Sequence, residues 1–151
     1  MRGHGELILA MNDDPYACHL LKTILEKYGY QVMPTKSGAD GVNVFEKFQH
    51  KIKLLVSDAD LLFLDGITAI RTIQKLAPET PIIITYGNPQ NVHAIRSLNA
   101  ARLAVLEKPY TVEQLLEAAT RLIVPKKFQK KSDPVSQAFV NAMLGKHRPA
   151  H

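Results

Sequence analysis

The sequence predicts an α/β fold: a doubly wound, five-stranded parallel sheet with helices on both faces. Three observations carry this expectation. Five short apolar runs alternate with stretches whose apolar residues recur at helical spacing. The runs are continuously apolar rather than alternating, as strands covered on both sides are. The connections between them are long enough to hold the helices that parallel strands need as crossovers. With 151 residues, 46% of them hydrophobic, the chain can build one domain with a core.

The runs at 7–11 (LILAM), 53–57 (KLLVS), 82–86 (IIITY) and 103–106 (LAVL) have strand length and charged or turn-like borders, and 30–34 (YQVMP) is a weaker fifth. Between the first two, Ala17, Leu20, Leu21, Ile24, Leu25 and Tyr28 share one face of a helix over 15–28, with Cys18 off that face. Asp14 caps this helix, Pro15 sits where its missing N–H costs nothing, and Gly29 stops it. Ser37 caps a helix over 38–49 that presents Val42, Val44, Phe45 and Phe48. A third, over about 66–76, presents Ile67, Ile70, Ile73 and Leu76. Asn88-Pro89 repeats the cap-plus-proline start for 89–98, and Thr111 with Gln114 forms a capping box for 111–123.

Charge divides the chain into a body, 1–124, and a tail, 125–151. The body holds 13 Lys/Arg against 13 Asp/Glu, so the whole net charge of +5 belongs to the tail, where six basic residues face Asp133 alone. This argues against a nucleic-acid-binding body and leaves only the basic tail to touch phosphates. The tail reads as a basic linker and then a short helix from about Pro134 to Leu144, too small for a DNA-reading output domain. A single cysteine, no signal-peptide pattern and no apolar run of membrane-spanning length point to a cytoplasmic protein without a membrane partner.

In such sheets the ligand site lies beyond the carboxyl ends of the strands. There the sequence places Asn12-Asp13-Asp14, Asp58, Thr85-Tyr86 and Glu107-Lys108-Pro109. Carboxylates with one lysine suit a hard divalent cation and a phosphoryl group, because oxygen ligands hold Mg2+ and an ammonium neutralises a phosphate oxygen. His19, His50 and His93 lack metal-ligand spacing and read as surface residues, while Tyr16, Tyr110 and Cys18 read as packing.

The segments LILAMNDDP, LLVSDADLLFLDG and VLEKPYTVEQLL resemble the three signature segments of response-regulator receiver domains, the phosphoacceptor modules of two-component signalling. The resemblance covers about residues 5–124, and Asp65-Gly66 after Asp58 and the aromatic after Lys108-Pro109 strengthen it. It implies a flavodoxin-like fold with Asp58 as phosphoacceptor, Asp13 as a direct Mg2+ ligand and Lys108 as partner of the phosphoryl group. The backbone carbonyl of Asp60 and the side-chain oxygen of Asn12 would complete the protein's share of the metal. The donor would be a histidine kinase or phosphotransfer protein. The product would be a conformational switch with slow self-catalysed phosphotransfer and dephosphorylation, rather than an enzyme. A downstream protein of unknown identity would read the switch, and the face made by helix four, strand five and helix five would offer a homodimer contact.

Against that pattern the chain departs in four places. Asn12 stands where the family has an acid, which lowers the expected Mg2+ affinity. Counting back from Lys108 without a gap puts Tyr86 at the position of the usual inward-turning hydroxyl, although Thr85 is chemically closer to it; adjacent strand residues face opposite sides. Register favours Tyr86. Val105 replaces the usual aromatic before the lysine, and Leu62 the usual proline, while Asp60 adds a carboxylate. These departures keep open a receiver-like scaffold that binds a partner without phosphate. The Asp58-Ala59-Asp60 triplet also resembles haloacid-dehalogenase-like phosphatases, a third reading that lacks the downstream acidic pair such enzymes need.

Overall fold

The strand with the most uninterrupted apolar run, β1 (Leu7–Met11), lies inside the sheet with a neighbour on each side. β2 (Gln31–Thr35) pairs with one edge of it and β3 (Ile52–Asp58) with the other; β4 (Ile82–Tyr86) and β5 (Leu103–Glu107) follow outward, all parallel, in the order β2-β1-β3-β4-β5. The structure, a computed structural model, describes residues 2–60, 63–98 and 102–123. This is the flavodoxin-like order, whose winding reverses between β1 and β3. β2 is an edge strand, which is why Pro34 is tolerated in it.

Two cores cover the sheet. On one face α1 (Pro15–Lys27) and α5 (Val112–Ile123) bury Cys18, Leu21, Leu25, Leu115, Leu116, Ala119 and Leu122 over Ile8, Ala10, Leu54, Val56 and Ile83. On the other, α2 (Gly38–Phe48), α3 (Phe63–Leu76) and α4 (Val92–Arg96) bury Phe45, Ile70, Ile73 and Ile95 over Leu9, Leu55, Ile82 and Ile84. Alternate residues of each strand thus enter different cores, as the period of two requires. The caps form as expected: the Asp14 carboxylate accepts from the Tyr16 and Ala17 amides, Ser37 Oγ from Asp40, and Thr111 and Gln114 exchange bonds. Gly29, at φ 99°, turns the chain out of α1 into β2.

The differences from expectation have physical causes. α1 is rotated relative to the expected face: Cys18 is buried, and Leu20 is 48% exposed. Its contact stripe is Cys18, Leu21 and Leu25, because the helix lies over β1 and β2. α3 begins at Phe63 and runs through Gly66, so burial of Ala69, Ile70 and Ile73 outweighs the helix cost of a glycine, about 1 kcal/mol. The helix expected over 89–98 is a 3-10 turn, Pro89–Asn91, followed by the short α4. The turn tightens because the Asn91 side chain is drawn inward, toward the loop after β3. Leu62 and the tail after Ile123 lie outside the described residues.

Candidate functional site

Register fixes the site. Met11 pairs with Ser57 and Asp58 pairs with Thr85, so Asn12, Asp58 and Thr85 fall in one row across β1, β3 and β4. They follow Ala10, Val56 and Ile83 in alternation and therefore face the side of α1 and α5. Thr85 pairs with Leu106 on β5, and Lys108 lies two residues further on, where its amide donates to the Tyr86 carbonyl at 2.7 Å. The Lys108-Pro109 peptide is cis. Asn12, Asp58, Thr85, Lys108 and Tyr110 line one cavity of about 80 Å3. Segments far apart in sequence thus meet at the point where the winding of the sheet reverses.

Asp58 is 4% exposed. Its Oδ2 accepts from Lys108 Nζ at 2.6 Å and its Oδ1 from the Asp60 amide at 2.8 Å. Lys108 keeps its ammonium above the usual range: burial alone would lower its pKa, but the hydrogen bond to Asp58 and the charges of Asp58 and Asp60 outweigh that. Burial pushes the Tyr110 phenol up, against the lowering effect of Lys108. A buried carboxylate beside a cation and a hydroxyl can attack an electrophilic anionic group while the ammonium neutralises its charge.

Asp60 is a carboxylate of a different kind. Its oxygens accept from the Gly87 amide at 2.5 Å, the Asn88 amide at 3.1 Å, Asn91 Nδ2 at 2.8 Å and Lys108 Nζ at 3.4 Å. Burial would raise its pKa, but the bonds from Asn88, Asn91 and Gly87 and the charge of Lys108 hold the carboxyl below the usual range.

The ungapped count that favoured Tyr86 does not match the geometry. Thr85 is 4% exposed and lines the cavity, while Tyr86 packs on the opposite core beside Ile84. A count from β5 is blind to loop length between strands, whereas the pairing of Asp58 with Thr85 is set within the sheet. Tyr16, expected to pack, is 75% exposed; Tyr110 packs against the α1 and α5 core. His19, His50 and His93 are exposed. Reading the sequence missed Asn91, 6% exposed, and the amides of Gly87 and Asn88 as partners of Asp60. Apolar periodicity carries no signal for them.

Mg2+ fits the donor chemistry here. The Asn12 side chain and Asp58 share the cavity, and Asp13 stands exposed at the end of β1. Each Asp58 oxygen uses one hydrogen bond and retains a second lone pair. Asn12 Oδ1 accepts from the Asp14 amide at 2.9 Å, which fixes that oxygen at the strand end. Among the described residues no cluster of three or more His, Cys, Asp or Glu side chains is arranged for a metal ion, so an ion would draw on the Asn12 oxygen or the Asp60 carbonyl as well.

Comparison with known proteins agrees with this geometry. Residues 8–120 match the family described as response regulator receiver domain. Transcription factor SKN7 of Saccharomyces cerevisiae is 32% identical over 111 residues, 74% of this chain and 18% of that protein. Transcriptional regulatory protein GlrR of Escherichia coli is 31% identical over 111 residues, 74% of this chain and 24% of its own length. The chain thus spans less than a quarter of either. Chemotaxis protein CheY of Bacillus subtilis is 26% identical over 117 residues, 77% of this chain and 96% of CheY. A crystal structure of a response regulator receiver domain protein from Clostridium thermocellum superposes with a TM-score of 0.74 at 27% identity, covering 82% of this chain and 98% of that one.

Proposed function

This chain belongs to the response regulator receiver family, and from that premise we propose that it accepts a phosphoryl group on Asp58 in a two-component or phosphorelay pathway. Receiver domains are signalling switches rather than enzymes of steady turnover. The observation that carries the reading is the 2.6 Å pair of Lys108 Nζ and Asp58 Oδ2 at the end of β3, with Thr85 in the same cavity.

In the proposed step an Asp58 oxygen attacks the phosphorus of a phosphohistidine donor. A P–O bond forms, the P–N bond breaks, and the imidazole leaves as the neutral ring after taking a proton. Lys108 moves from the carboxylate toward the incoming phosphoryl oxygens, and the Thr85 hydroxyl donates to another. Asp13, Asp58, the Asn12 oxygen and the Asp60 carbonyl would hold Mg2+, which when bound neutralises charge on the phosphoryl oxygens. Reversal is hydrolysis: a water oxygen bonds to phosphorus, the P–O bond to Asp58 breaks, and inorganic phosphate departs. The donor would be a histidine kinase or phosphotransfer protein, in the cytoplasm. The α4, β5 and α5 face, with Val105 43% and Val112 40% exposed, would meet a downstream protein or a second copy. No helix among the described residues is long and apolar enough to cross a membrane.

The haloacid-dehalogenase-like alternative needs the second acid of the triplet free to donate a proton, and Asp60 is held by four donors. Incubation with acetyl phosphate and Mg2+ followed by intact mass tests the proposal, with Asp58→Ala as control. One added phosphoryl group, lost in the control, supports it. An unchanged mass in the native chain favours the phosphorylation-independent scaffold instead.

A further inference from the structure

An ionised carboxylate offers about four lone-pair sites, and Asp60 fills all of them. Oδ2 takes the Gly87 amide and Lys108 Nζ, and Oδ1 takes the Asn88 amide and Asn91 Nδ2. These are two consecutive main-chain N–H groups, a side-chain amide and an ammonium, the set of donors that proteins use to cradle an oxyanion. They come from the connection after β4 and from the end of β5, whereas Asp60 itself belongs to the connection after β3. The carboxylate therefore ties three strand ends together. Its side chain is 19% exposed and Asn91, which reaches it, is 6% exposed, whereas Gly87 and Asn88 lie at the surface, so the arrangement is buried on the Asn91 side and open on the other.

From this we infer that Asp60 is a resident anion. It holds the segment Gly87–Asn91 in an anion-bound arrangement whether or not Asp58 carries a phosphoryl group. Tethering gives it a standing advantage over any anion from outside, since its binding is intramolecular. Gly87 adds to the fit: a Cβ there would stand 3.1 Å from Asp60 Oδ2, too close without displacement. Of the donors around the cavity, Lys108 is the one free to change partner, being closer to Asp58 (2.6 Å) than to Asp60 (3.4 Å). The consequence, which rests on the phosphoacceptor reading, is that modification of Asp58 re-aims Lys108 and engages Thr85 but leaves the segment after β4 where it is. Signalling through movement of that segment is then blocked by Asp60.

Two arms of one NMR experiment test this. In the first, amide hydrogen exchange is measured at Gly87 and Asn88 in the native chain and in Asp60→Ala, with Leu9 and Ile83 as reports on global stability. Exchange at Gly87 and Asn88 should accelerate about tenfold or more while the reference amides hold; unchanged rates at those two positions overturn the inference. Should Asp60→Ala destabilise the whole fold, Asp60→Asn decides: it keeps one acceptor oxygen, so exchange should accelerate at whichever of Gly87 and Asn88 faces the new nitrogen, and unchanged rates at both overturn the inference. In the second arm, beryllofluoride with Mg2+ is added. In the native chain the Ala59 and Thr85 amides should shift while Gly87 and Asn88 stay in place, and in Asp60→Ala all four should shift. Gly87 and Asn88 moving in the native chain as far as in the variant overturns the inference. If no amide responds to beryllofluoride, the phosphoacceptor reading fails, and the exchange arm still decides whether Asp60 holds the segment.

Discussion

Replacing Asp58 separates its charge from its shape. Its carboxylate is 4% exposed and makes two bonds, to the Asp60 amide at 2.8 Å and to Lys108 at 2.6 Å. The Lys108 side chain is 36% exposed and has Asp60 at 3.4 Å as a second partner, so loss of the ion pair costs stability only as a screened surface pair does, about 0–1 kcal/mol. Relief of a buried charge offsets part of that. In Asp58→Asn the remaining side-chain oxygen can still accept from the Asp60 amide, so the net change should stay within about 1 kcal/mol of native. In Asp58→Ala that partly buried N–H has no acceptor, and the variant should fall about 1–2 kcal/mol below Asp58→Asn. Urea unfolding followed by far-ultraviolet circular dichroism measures both, with an unchanged slope showing that the unfolded state is common to them. An Asp58→Ala chain as stable as Asp58→Asn would refute the role given to the Asp60 amide. A loss beyond about 3 kcal/mol in Asp58→Asn would show that the ion pair does far more for the fold than a screened pair can.

Thr85→Val should slow phosphoryl uptake from acetyl phosphate about 100-fold to 1,000-fold, the range for removing one hydrogen-bond donor to developing charge, whereas Tyr86→Phe should leave the rate within about twofold; time-resolved intact mass reads both. Asn12→Asp restores a charge at the end of β1 and should tighten Mg2+ binding about tenfold by isothermal titration calorimetry. Tyr30 gives the pH dependence. Burial lifts its phenol above the ordinary value of 10, the bond to Thr120 opposes this, and Glu6 adds to the rise. A raised folded-state pKa means that the stability Tyr30 contributes is complete below pH 10 and is lost as pH climbs through the folded value. Urea midpoints should therefore fall in that alkaline window, and Tyr30→Phe should flatten the fall.

Much of this was legible in the sequence because buried parallel strands advertise themselves. The limits of β1 and β4 coincide with their apolar runs, and the strand ends carried Asp58 and Lys108 to one place. What the sequence hid were matters of side. Cys18 and Leu20 are two residues apart on one helix, and which of them is buried depends on how α1 is rolled against β1 and β2. Thr85 and Tyr86 differ by one position, so a one-residue error in counting across a loop exchanges the cavity for the opposite core. Asp60 was visible as an extra acid. Of its four donors Lys108 was visible too, but Gly87, Asn88 and Asn91 were not, because they come from the connection after β4 and the 3-10 turn it leads into, where no apolar period marks them.

The convergence on Asp58 is tested most directly by locating the phosphoryl group. After reaction with acetyl phosphate and Mg2+, borohydride reduction of the acyl phosphate to an alcohol and tryptic digestion give a fragment from Leu54 to Arg71, which contains Asp58, Asp60 and Asp65. Fragment masses should place the reduced residue at Asp58 alone, because it is the carboxylate facing the cavity with Lys108. Reduction at Asp60 or Asp65, or at none of the three, would contradict the assignment.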